Sequence, residues 1–590
     1  MQSVKRFFKQ VFIVVGGIFI SLLLFISLGF AFFHLYRIKY SRPTITDNTV
    51  LYLELRGKVV ERESNTFRQA KTIDLMALQD AMQRAQTDKN IEGIYLRAGA
   101  LQAGWASLEA IRNALLSFQK AGKFIIAYGE NYTQKAYYLA CLADEIVLHP
   151  EGLFHFNGLS QVVLFYKVLL DKLGIVPQIF RVGQYKSAIE PFMRQDMSQA
   201  SKYQSSQVLN AIYDYFLDTI TVARGLKKAS MKAMADALSV VLPYDAWREK
   251  LITQIGHFDD VEALIKTKLS VAQDAHINYV SIDKYASYYK TSKTSEKEIA
   301  VLMVEGEMVD GVGASGTIGS TDLALSLRTI REDDSIKAVV LRINSPGGSA
   351  LAADVVWKEL MLTKAQKPVV ASMSDVAASG GYYLASACDY IFAHPTTITG
   401  SIGIFGLYFD VHALLKNKLG ITTDTVKTGS SADLLQNSGR PLSSYEKQVI
   451  QKVVDKGYNT FLERVATGRQ VDKATIECVA SGRVWTGQQA LKNGLVDALG
   501  NLDTAINEAV KLSTIQDQDK YTVSFWPKLK FFWSKPSTIV TQALDSLAVH
   551  SSDAKNWRAL QANFPILKHS HELASMTGIQ ARLPYVFAIE

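Results

Sequence analysis

Cysteine is nearly missing from this sequence: Cys141, Cys388 and Cys478 are the only three in 590 residues. They are odd in number and widely spaced, so they form neither a disulfide framework nor a metal-binding pattern. They read instead as small buried side chains. A block of lysine and arginine is also lacking. The net charge of +8 is spread along the chain, which argues against nucleic acid as a partner. No metal or nucleotide motif stands out, so neither a metal nor another cofactor is expected. A single core is excluded by length, and roughly two to four domains are expected.

Charge is absent from one long stretch. Val11 to Phe33 is an uncharged run of 23 residues rich in Ile, Leu and Phe, long enough to span a bilayer core. It exceeds a typical signal-peptide core and no small-x-small cleavage site follows, so a retained transmembrane signal anchor is expected. Lys5, Arg6 and Lys9 precede it and Arg37, Lys39 and Arg42 follow, so the positive-inside rule alone leaves the orientation open. A short N-terminal stub with a large C-terminal body most simply puts that body outside the cytoplasm.

From Asn48 onward the sequence carries the same domain twice. NIEGIYLRAG at 90–99 matches SIKAVVLRIN at 335–344, and KAYYLACLADEIVLHP at 135–150 matches GGYYLASACDYIFAHP at 380–395, both offset by 245. A repeat of such period is read before any local motif. Within each half, apolar β-branched runs alternate with amphipathic helical stretches, a βαβ grammar that implies a mostly parallel sheet covered by helices. The expected division is a stub and anchor at 1–47, a first repeat domain at 48–295, a second at 296–514 and a tail at 515–590. The tail lies outside the repeat and reads as packing on its own domain. Its Trp and Phe interleaved with Lys (DQDKYTVSFWPKLKFFWSKP) give membrane-surface contact as the other reading.

The duplication acts as its own control. Positions alike in both halves are read as structural: Asp144 and Asp389, Tyr137–Tyr138 and Tyr382–Tyr383, His149 and His394. His394 is thereby demoted as a catalytic base. Differences mark the chemistry. Ser379 aligns with Gln134, and Gly347–Gly348 align with Gln102–Ala103, while the first half alone carries Lys186 in RVGQYKSAIEPF. Neither half is complete, so one composite site between them is the economical reading.

The stretch from Leu341 to Gly406 shows how that site would be built. Gly347–Gly348 and Gly380–Gly381 each follow a strand-like run, and Ser379 abuts the second pair at a strand-to-helix turn. A serine held there lies beside backbone N–H groups free to bind an oxyanion. Lysine is an established base for such a serine. It must be neutral to accept a proton, and burial lowers its pKa. Tyr185, Ala188, Ile189 and Phe192 would supply the apolar surroundings, and Ser187 would orient the ammonium. Ser345 and Ser349 read as shaping the first glycine turn. Ser401, in TITGSIGIFG, is a rival nucleophile or a supporting hydrogen-bonding group.

NSPGGSA, SDVAASGGYYLA, TTITGSIGIFG, SGRVWTGQQALKNGLVD and YKSAIEPF together resemble the signal peptide peptidase A family, also called protease IV, in its long duplicated bacterial form. The resemblance runs from the anchor to about residue 510. It implies two tandem α/β domains with the crotonase-like fold of the Clp protease subunit. It also implies Ser379 as nucleophile, Lys186 as general base, and an oxyanion hole from the N–H of Gly380 with that of Gly347 or Gly348. The implied substrates are cleaved signal peptides. The implied assembly is a homotetramer, with its catalytic body on the periplasmic face of the bacterial inner membrane. A crotonase-type acyl-CoA enzyme and a non-catalytic membrane-anchored scaffold are the alternative readings.

Overall fold

The computed structural model describes residues 16–17, 20–31, 45–62, 72–288, 295–314, 316–434, 440–516, 519–527 and 578–583. Of the expected span 11–33, residues 20–31 are described and helical, with Phe25 and Phe30 exposed. Apart from 16–17, the rest of that span lies outside the described residues. Among the described residues no helix is long and apolar enough to cross a membrane.

In the first half the β-branched runs become parallel strands: β1 (Thr49–Val60), β2 (Thr72–Asp74), β3 (Ile91–Gln102), β4 (Phe124–Gly129) and β5 (Glu145–Leu148). After β6 (Val176–Arg181), which belongs elsewhere, come β7 (Gln254–Ile255) and β8 (Asn278–Ser281). The sheet order is β2-β1-β3-β4-β5-β7, with β8 on β1, and every pair is parallel. Ile94 and Leu96 of β3 enter one core while Tyr95 enters another on the opposite face. Burial on both faces explains a continuous apolar run in place of an alternation.

The second half repeats this plan. It contains β9 (Glu298–Glu305), β10 (Glu307–Val309), β11 (Thr317–Gly319), β12 (Ile336–Ser345), β13 (Gly347–Ser349), β14 (Val369–Ala378) and β15 (Tyr390–Ala393). There follow β16 (Ile398–Gly400), β17 (Phe405–Asp410), β18 (Val484–Thr486) and β19 (Ala498–Leu499). Beyond residue 515 lie β20 (Thr522–Trp526) and β21 (Gly578–Arg582). The main sheet runs β18-β16-β14-β12-β9-β20, with β15 on β14 and β19 on β15. This is the mixed α/β architecture with parallel sheets, present twice, that the sequence leads one to expect.

Paired positions do the same work in both halves. The Asp144 carboxylate accepts from Ile125 N–H and that of Asp389 from Val369 N–H, at 2.7 and 2.8 Å. Tyr137 and Tyr382 donate to the carbonyls of Leu251 and Leu495 at 2.7 and 2.8 Å. The long helices Gln199–Arg224 and Ser444–Arg469 have 26 residues each. Both open on a serine cap, Ser198 and Ser443, that accepts a backbone N–H of the first turn.

A third sheet joins the halves. Its order is β11-β10-β13-β21-β17-β6, so a first-half strand, β6, is hydrogen-bonded into second-half structure. The residues after β6 are thereby delivered to the C-terminal ends of the second-half strands. Ala378, Ile398 and Val484 pack into the core of the first half. Glu61 and Arg342, both buried, pair across the junction at 2.9 Å. Asp375 accepts from the Ser107 N–H at 2.8 Å. The tail contributes β20 to the edge of the main sheet, parallel to β9, and β21 to the third sheet.

Candidate active site

Ser379 stands between the end of β14 and the helix Gly380–Ala385. Its backbone has φ 54° and ψ −112°, a conformation costly for a residue with a Cβ and one that collects at functional turns. Two hydrogen bonds hold it there: Ser379 N–H donates to Gly400 O, and Tyr383 N–H to Ser379 O, both at 2.8 Å. The turn aims the hydroxyl away from the sheet and towards the residues that follow β6.

Lys186 lies directly before the short helical turn Ser187–Ile189. Its Nζ is 2.9 Å from Ser379 Oγ, 3.0 Å from Ser401 O and 3.0 Å from Ser401 Oγ. Both Lys186 and Ser379 are fully buried. Burial holds the lysine well below its ordinary pKa, because a charged ammonium loses its hydration there. Ala188, Ile189 and Phe192 form an apolar cluster with Phe405 and Leu407 beside this loop.

Gly347 and Gly348, in β13, bring backbone against the serine turn. Gly347 has φ 93°, and a Cβ there would fall 2.6 Å from Gly380 N and 3.1 Å from Ser379 Cβ. Only glycine permits that approach. Ser345 Oγ accepts from Gly347 N–H at 3.2 Å and donates to Gly306 O at 2.6 Å. Ser349 caps the helix Ala350–Lys364 by accepting from Ala352 N–H at 3.2 Å. Both serines therefore shape the turn, as their positions suggested.

The remaining candidates fall differently. Ser187 is turned from the lysine amine: its hydroxyl donates to Tyr185 O at 3.2 Å and accepts from Gln204 Nε2 at 2.8 Å. Besides Ser379 Oγ, the oxygens that meet Lys186 Nζ belong to Ser401. The buried His394 faces Glu109 of the first half, with Nδ1 3.4 Å from Oε2.

Sequence reasoning missed two supports of the lysine loop. Gln204 Nε2 also donates to Tyr185 O at 3.0 Å, and its Oε1 accepts from Val484 N–H at 3.2 Å. Gly482, at φ 78°, lies so close that a Cβ would sit 2.6 Å from Lys186 N. Gly482 belongs to SGRVWTG, quoted above for its resemblance, but nothing local to that string points at a lysine almost three hundred residues earlier.

A strained serine at a strand-to-helix turn, glycine backbone beside it and a buried amine in contact with it define a serine hydrolase acting by acyl transfer. Peptidase family S49 matches this chain twice, at residues 117–272 and 361–516. The chain is 35% identical to Protease 4 of Haemophilus influenzae over 541 residues, covering 89% of this chain and 85% of that protein. It is 34% identical to Protease 4 of Salmonella typhi over 543 residues, with 88% and 85% covered. Identity to the chloroplastic serine protease SPPA of Arabidopsis thaliana is 34% over 552 residues, with 92% and 79% covered. The chain belongs to Peptidase family S49 and is a serine protease, which bears out the resemblance read from its motifs. The acyl-CoA and scaffold readings give way to that membership.

Proposed function

We propose that this protein is a membrane-anchored endopeptidase that degrades cleaved signal peptides with Ser379 as nucleophile and Lys186 as general base. One observation carries the catalytic part: Lys186 Nζ and Ser379 Oγ lie 2.9 Å apart and out of water. A neutral amine has two N–H donors and one lone pair. The two oxygens of Ser401 at 3.0 Å can engage the donors, which leaves the lone pair for the Ser379 hydroxyl proton.

The steps follow from that arrangement. Lys186 removes the Ser379 proton as Oγ attacks the peptide carbonyl. The carbonyl oxygen takes up negative charge, stabilised by the Gly380 N–H with one N–H from Gly348, or from Gly347 once it leaves Ser345 Oγ. The lysine then protonates the departing amine, the C–N bond breaks and an acyl-enzyme remains. Water, deprotonated by Lys186, attacks the ester carbonyl, and the lysine returns the proton to Ser379 Oγ as the C–O bond breaks and the acid leaves. No metal or other cofactor takes part in this scheme.

The substrate class, the single-pass anchor at 11–33, a periplasmic catalytic body and a homotetramer all rest on the family resemblance and the uncharged run. The test is hydrolysis of a fluorogenic signal-like peptide. Ser379→Ala and Lys186→Ala should each lose about 10,000-fold or more in kcat, since members of a catalytic unit fail together. Near-normal rates in Lys186→Ala would place the base elsewhere.

A further inference from the structure

The catalytic pair has no exposed surface, and both glycines of β13 are buried. Over them lies β21, from this chain's own C-terminal region. It runs antiparallel to β13, with Gly347 opposite Arg582, Gly348 opposite Ala581 and Ser349 opposite Gln580. Its other edge runs antiparallel to β17, with Phe405 opposite Gln580 and Leu407 opposite Gly578. Leu583 N–H extends the ladder by donating to Pro346 O at 2.7 Å. Ala581 O stands among the reacting groups: a Cβ on Gly347 would meet it at 2.1 Å, and one on Gly380 at 3.4 Å.

Without β21 the third sheet would fall into two pieces, β11-β10-β13 and β17-β6, separated by the width of one strand. Each piece would present an open edge of N–H and C=O groups, which is a template for an added strand. The side chains set further limits. Ala581 is fully buried, Leu583 enters the first-half core, and Arg582 pairs with Glu307 at 3.0 Å.

We propose that this gap is a strand receptor with two hydrogen-bonding edges and that Gly578–Leu583 is its resident ligand. The segment is a reversible plug, lying in the main-chain register that a substrate must adopt, and a peptide reaches Ser379 only by displacing it. The occupant is then a single extended strand with a small residue at the Ala581 position. This rests on Ser379 being the nucleophile.

Hydrogen–deuterium exchange on the full-length Ser379→Ala protein tests the seat without turnover. The amides of residues 578–583 should exchange slowly at rest and many-fold faster with excess synthetic peptide GIQARL, the copy of that segment. In the wild type, Ala581→Asp puts a charge at a fully buried position and should unseat the strand. The KM for a fluorogenic peptide should fall about 10-fold with kcat within twofold, as expected when an occluded state is removed. Arg582→Ala, which removes the Glu307 ion pair, is the milder variant should Ala581→Asp fold poorly, and it should lower KM in the same direction. Fast exchange at rest, or an unchanged KM in folded variants, would overturn the proposal. If the wild type hydrolysed no peptide while exchange stayed slow and GIQARL released it, the functional reading would fail and the plug would stand.

Discussion

Lys186 sits where a protonated amine is hardest to keep. Its ordinary pKa is about 10.4, and burial holds it well below that value in the fold. Activity should therefore rise with pH through the depressed lysine pKa and level off before the ordinary lysine range. A pH profile of kcat/KM that rises only near pH 10 would contradict this. Stability carries the opposite face of the same fact. Between the depressed and the ordinary pKa the unfolded lysine binds a proton and the folded one does not, so folding must release it, and stability climbs with pH through that window. Lys186→Met removes the cost. It should abolish hydrolysis yet melt above wild type at pH 7, by a margin that narrows towards pH 10, as calorimetry can read. Ser401 acts on the same amine. Ser401→Ala should lower kcat about 10- to 100-fold with little change in KM, because a misaimed base costs rate and not binding.

Strands and turns carry the glycine logic. At Gly347, with φ 93°, an added Cβ would press on Gly380 N at 2.6 Å, and the backbone of both glycines is proposed above to bind the oxyanion. Gly347→Ala should cost about 100- to 1,000-fold in kcat, the scale of a lost oxyanion donor, with the circular dichroism spectrum retained. Gly494, at φ 72°, has nothing within 4 Å of an added Cβ. Gly494→Ala should cost about 1 kcal/mol of stability and leave activity alone. If both variants behaved alike, proximity to Ser379 would not be what matters at Gly347. The serine turn was legible in the sequence because its signals are local: a β-branched run, a serine, a glycine pair, then a helix. Lys186 was legible only through the contrast between repeats, since it meets Ser379 across 193 residues of chain. Ser401 was legible as a supporting hydrogen-bonding group, but Gln204, and the choice of Ser401 over Ser187 at the amine, were not, because the pairing of β6 with β17 decides which hydroxyl faces the lysine. The strands β20 and β21 were also missed. Short segments outside the repeat have no partner copy to reveal them, and their edges are set by the third dimension.

At the scale of the molecule the two halves are bound through a buried charge cluster that neither would keep alone. Arg342 donates to both Glu61 oxygens, at 2.9 and 3.2 Å, and to Ser372 Oγ at 3.0 Å. Ser374 Oγ donates to Glu61 as well. Arg342 lies on the strand leading to Gly347, and Ser374 on the one leading to Ser379, so the cluster sits on the two strands that lead into the glycine turns. Glu61→Ala leaves the guanidinium buried and unpaired and should cost about 3–5 kcal/mol, read as a lower denaturant midpoint. Glu305 borders the same cluster, accepting from Glu61 N–H at 3.4 Å. Burial, and then the Glu61 charge, push its carboxyl up to about 7. A carboxyl raised on folding binds its proton more tightly in the native state. Its contribution is therefore full at acid pH and is lost as pH rises through about 7. Glu305→Gln cannot ionise, so it should match wild type near pH 5 and melt higher at pH 8.5. Equal melting temperatures at pH 8.5 would mean that the junction already tolerates the ionised carboxylate. A variant that matched wild type near pH 5 but melted lower at pH 8.5 would mean that the ionised group helps to hold Arg342 in place.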